Sequence, residues 1–149
     1  MKHDNSGYCL MCHTIINRYP GFNENLRSWF TEFQKKHPEM HTSCAGRGRI
    51  DQEAYFARGS SRARWSQSSH NYNCAIDLFV TDPKNPTTIY PKEWFSKVLS
   101  PNLPKWICWY GEPGSRFFEM PHCEIRGWQE LVKQGIIKLV EDVSGSHVS

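Results

Sequence analysis

The chain has 149 residues, 38% of them hydrophobic and 13% aromatic, with a formal net charge of +3. That length predicts one domain able to bury roughly two-thirds of its unfolded surface, and the apolar content excludes a disordered chain. The charge suits approach to an anionic polymer, a cell wall or a nucleic acid, and is too small to choose between them.

Residues 1–20 read as an irregular N-terminal segment, with Gly7, Tyr19-Pro20 and Gly21 as breakers. The opening Met1-Lys2-His3-Asp4-Asn5 lacks a signal-peptide core, and no stretch has the apolar length of a membrane span. Cytoplasmic synthesis without membrane insertion is therefore expected, with the cysteines mostly reduced. Cys9-x-x-Cys12-His13 has the form of half a structural zinc site; no second such pair follows, and Cys44 is the leading extra ligand.

From Asn23 the pattern turns helical. Phe22, Leu26, Trp29, Phe30 and Phe33 keep the spacing of one buried face, Asn23 or Asn25 can cap the start, and His37-Pro38 ends the run. Met40 to Ala45 reads as a short strand, and Ile50 to Arg58 as a helix closed by Gly59. A polar, basic linker of residues 59–68 follows; Arg58, Arg62, Arg64 and Trp65 read as a solvated face rather than a groove contact.

Cys74 to Val80 reads as a buried strand with Asp77 embedded in it. Thr81 to Thr88 is a loop, and Pro91 to Leu99 a helix with proline in its first turn. Lys105 to Tyr110 is expected as a strand, Gly111 to Gly114 as a turn, and Arg116 to Ile125 as a strand carrying Glu119 and His122. Trp128 to Val140 has helical spacing with Gly135 as a weak point, and residues 143–149 read as a polar tail. The whole is an α+β domain over residues 1–149, a small, mostly antiparallel sheet flanked by three or four helices.

A carboxylate inside a strand is costly unless something cationic satisfies it. His70 lies just before that strand, where a loop can swing its ring toward Asp77, and one metal ion would explain both residues. Glu119-x-x-His122 supplies a third ligand on an extended segment, since Pro121 argues against a helix. His70, Asp77 and His122 would leave one tetrahedral position for water, the arrangement of a catalytic zinc.

Ser68-x-His70-x-x-Asn73-x-Ala75-x-Asp77 resembles the signature of the LAS-type zinc peptidases, which include D-alanyl-D-alanine carboxypeptidases and phage L-alanyl-D-glutamate endolysins. Glu119-x-x-His122 resembles the family's second signature, and the likeness spans roughly residues 40 to 128. The resemblance implies a LAS/hedgehog-like fold, zinc ligands at His70, Asp77 and His122, and a catalytic base at Glu119. It further implies a substrate or oxyanion contact at Arg47, with Gln52 and Ser68 supporting substrate binding. The family usually has glycine where this chain has Asn73, a residue that tolerates left-handed backbone. It often has an aromatic just before the arginine, where this chain has Ala45-Gly46.

The leading expectation is a monomeric, zinc-dependent peptidoglycan peptidase cutting the stem peptide as an L-alanyl-D-glutamate endopeptidase. It would be made in a host cytoplasm as a phage endolysin and reach the wall once the membrane is breached. The alternatives are a D-alanyl-D-alanine carboxypeptidase or dipeptidase, a zinc-containing binding module without catalysis, and a nucleic-acid binder built on the basic loop. Glu119 argues against the second, since a structural zinc needs no free base. The low net charge argues against the third.

Overall fold

The structure is a computed structural model and describes residues 9–81, 84–85, 87, 89–111 and 119–141. The expected turn at Gly114, the start of the Arg116 strand and the 143–149 tail lie outside the described residues.

Among the described residues four antiparallel strands, β1 (Met40–Cys44), β2 (Ala75–Val80), β3 (Ile107–Trp109) and β4 (His122–Ile125), form one sheet in the order β1-β2-β4-β3. Around it lie α1 (Leu10–Ile16), α2 (Glu24–Lys36), α3 (Arg49–Ala57), α4 (Lys92–Trp94) and α5 (Trp128–Lys133). The α+β architecture is as the sequence predicts. Among the described residues no helix is long and apolar enough to cross a membrane.

α2 follows its sequence signals closely. The Asn23 side chain accepts from the Leu26 N–H at its start, His37 ends it, and Leu26, Phe30 and Phe33 are buried. They join Ile76, Leu78, Phe95, Leu99, Ile107 and Cys123 in one apolar cluster. Strand alternation divides the sheet. Ile76, Leu78 and Val80 of β2, with Cys123 and Ile125 of β4, are buried on the core face, while Asp77, His122 and Glu124 fall at the intervening positions.

Four expectations need correction. Residues 10–16 are helical, not irregular: Cys9, Cys12 and Ile16 bury one side of the turn at helical spacing. The Pro91 helix runs on past Leu99, as α4, a wider π turn at Phe95–Leu99 and a tight turn at Ser100–Asn102. Glu119 precedes its strand, because Pro121 cannot donate to the ladder and β4 begins at His122. α5 stops at Lys133, and Gly135 then takes positive φ at 74°.

Candidate metal centre

The register of β2 builds this region. Asp77 stands opposite His122 on one side and Cys44 on the other. His70 is delivered by a tight helical turn, Ser69–Tyr72, just ahead of the strand. Ser68 Oγ accepts from the His70 N–H at 3.2 Å, and Asn71 Oδ1 accepts from the Ser68 N–H, so the turn is closed at its start. Asn73 closes its end in the left-handed region at φ 57°.

Gly46 and Asn73 touch. A Cβ at residue 46 would collide with Asn73 Oδ1, so Gly46 makes room for the Asn73 side chain. Asn73 Nδ2 in turn donates to the Pro20 carbonyl at 3.0 Å.

Both imidazoles converge on one oxygen. His70 Nε2 lies 3.2 Å from Asp77 Oδ1 and His122 Nδ1 lies 3.0 Å from it. The far nitrogen of each ring is committed elsewhere: His70 Nδ1 is 2.6 Å from the Ala45 carbonyl, and His122 Nε2 is 2.8 Å from Glu124 Oε1. A carbonyl and an ionised carboxylate only accept, so each far nitrogen carries the proton. In the neutral rings, then, two lone pairs face a carboxylate oxygen. That contact is repulsive unless protons or a cation lie between, and a two-nitrogen, one-oxygen donor set with oriented imidazoles fits a divalent zinc.

The electrostatics agree. Burial pushes the His70 pKa down, but the charges on Asp77 and Cys44 outweigh it and lift it to about 10. Burial likewise opposes His122, whose bonds to Asp77 and Glu124 leave it raised. Burial would raise Asp77, yet the two histidines hold it well below the usual carboxylate range. The field that draws protons onto the rings would equally hold a metal ion, whose binding releases them.

Cys44, His70 and Asp77 also bring donor atoms within 4.8 Å of one another. Cys44 Sγ, however, faces the Nδ1 side of His70 at 3.8 Å, the nitrogen that serves the Ala45 carbonyl. Its other neighbour is Arg47 Nη2, at 3.3 Å. Cys44 thus meets His70 at the nitrogen already committed to Ala45, while its sulfur stays within 4.8 Å of an Asp77 oxygen.

Arg47 is buried, with Nη1 donating to Gln52 Oε1 at 3.0 Å and its guanidinium 4.4 Å from the Tyr55 ring centre. Gln52 is wholly enclosed and spends its amide on Ser61 Oγ and the Ala63 carbonyl. It steadies Arg47 from behind. Glu119 is the open member: its side chain is 62% exposed, with Oε2 4.0 Å from His122 Nδ1.

Two residues escaped the sequence reading. Glu124 receives Ser69 Oγ at 2.8 Å, Tyr110 OH at 2.7 Å and Trp128 Nε1 at 2.9 Å besides His122, and these bonds outweigh burial to lower its pKa. Its signal was there: an acid two residues after a histidine in a strand shares its face. Asn71 is fully buried, and its Nδ2 donates to both the Arg47 carbonyl and Gln52 Oε1, tying the arginine to the histidine turn.

No protein-family model and no curated protein sequence matches the chain. A solved structure does. The chain is similar to the L-Ala D-Glu endopeptidase ChiX of Serratia marcescens, with a TM-score of 0.59 over 83% of this chain and 92% of that one, at 14% identity. The two share one fold.

Proposed function

We propose that this chain is a zinc-dependent peptidoglycan peptidase, an L-alanyl-D-glutamate endopeptidase that serves as a phage endolysin. One observation carries the reading: two imidazoles, each with its proton committed to an acceptor, turn their free nitrogens on a single oxygen of Asp77. The fold shared with an L-Ala D-Glu endopeptidase supports the substrate, and the sequence resemblance supports the phage role.

His70, Asp77 and His122 would hold the zinc. Bound there, it would supply Lewis acidity to water and to the scissile carbonyl. Glu119, exposed and beside His122, takes a proton from the attacking water and returns it to the leaving amine. Glu124 holds the His122 ring through Nε2, and the Ala45 carbonyl holds His70 through Nδ1. Arg47, pinned by Gln52, offers a planar cation to a substrate carboxylate or to the developing oxyanion. Ser68 acts on the backbone of His70, so its support of the substrate is indirect.

The test is purified protein with peptidoglycan, with and without a chelator, read by mass spectrometry of new termini. New alanine C-termini and glutamate N-termini, lost on chelation and restored by zinc, are expected. Release of single terminal alanine would make it a carboxypeptidase instead. A zinc-loaded protein that cleaves nothing would refute the peptidase reading.

A further inference from the structure

A second cluster lies outside this region, between α1 and the outer strand of the sheet. Cys12 Sγ is 3.6 Å and Cys9 Sγ 4.0 Å from His41 Nδ1, and all three residues are buried. Their donor atoms lie within 4.8 Å of one another. The third residue beside the Cys9-x-x-Cys12 pair is thus His41, while Cys44, the sequence's leading extra ligand, stands beside His70.

Buried cysteines often serve as small hydrophobes, and these two do belong to the apolar core. Hydrophobic packing does not explain their aim. A ring nitrogen has one lone pair and can accept one S–H, so a second thiol turned on the same atom is redundant for hydrogen bonding. A metal ion uses all three.

A second observation points the same way. Gln34, on α2 and almost fully enclosed, directs Nε2 at Cys12 Sγ at 3.4 Å and at the Met40 carbonyl at 2.8 Å. An amide donor aimed at sulfur suits a thiolate, and such outer contacts orient metal ligands.

We propose that Cys9, Cys12 and His41 bind a structural zinc that fastens α1 to β1. Binding releases both thiol protons to solvent, and two thiolates neutralise the dication, so the buried complex carries no net charge. A fourth protein donor is needed to close the tetrahedron of a structural site. The need is visible in α1 itself: seven residues long, with no side-chain cap at Cys9, it is too short to persist unaided. The proposal does not depend on the chain being a peptidase.

Cobalt(II) substitution of the full chain, in a Cys44→Ser background, tests it. Nitrogen and carboxylate ligands give no thiolate-to-cobalt charge-transfer band in the near ultraviolet, whereas two cysteine ligands do. The band is expected, with two metal equivalents per chain. Cys9→Ser/Cys12→Ser should lose the band and one equivalent; Asp77→Ala should lose the other equivalent and keep the band. Should the double variant fail to fold, a thiol-specific mercurial on the zinc-loaded Cys44→Ser chain decides: release of one equivalent of two supports the site. No band, or modification of Cys9 and Cys12 without metal release, overturns it.

Discussion

The two clusters of candidate metal ligands are built by opposite means. His70, Asp77 and His122 are set by strand register and have an exposed acid, Glu119, at their edge. Cys9, Cys12 and His41 are closed in, sulfur-rich, and bridge a helix to a strand. A zinc closed off by four protein ligands holds a fold together; one with three ligands and an open position can do chemistry. The two proposed roles differ in donor type and in exposure.

The harshest way to break this contrast is Asp77→Ala. It removes the oxygen both imidazoles share, so hydrolysis should fall to background and one metal equivalent should vanish by elemental analysis. Retained metal and activity would strike Asp77 from the ligands. Glu119→Ala sharpens the contrast by splitting metal from chemistry. Zinc content should hold while kcat drops about 100- to 10,000-fold, the usual contribution of a general base. Unchanged turnover would remove Glu119 from that role.

Glu124→Gln probes the layer behind the ligands. The amide keeps an acceptor for His122 but sets an N–H among the donors of Ser69, Tyr110 and Trp128. Zinc affinity should weaken about 10- to 100-fold in a competition titration, with Glu119 chemistry recovered at saturating zinc. The mildest change is Asn73→Gly. It relaxes a left-handed residue but loses the Pro20 bond, so urea unfolding should move by no more than about 1 kcal/mol in either direction.

Much of the metal region is legible locally. His70 and Asp77 stand seven residues apart at the entry to a strand, and Glu119 stands three before His122; short-range spacing conveys both. What spacing cannot convey is register. Only the pairing of Asp77 with His122 brings Glu124 behind the ring and Cys44 alongside. The α2 stripe and its Asn23 cap are equally plain, because apolar periodicity and a cap act within one turn. α1 was hidden because its buried positions are Cys12, His13 and Ile16, of which the first two give a weak helical signal, and Pro20 reads as a breaker. His41 as a partner of Cys9 and Cys12 is a contact across 29 residues or more, made by the sheet's placement of β1 rather than by any motif.

The most direct measurement is anomalous diffraction at the zinc edge from crystals of the zinc-loaded protein. The account predicts a peak about 2.0–2.2 Å from His70 Nε2, an Asp77 oxygen and His122 Nδ1. Zinc-loaded crystals with no peak at those three atoms would contradict it.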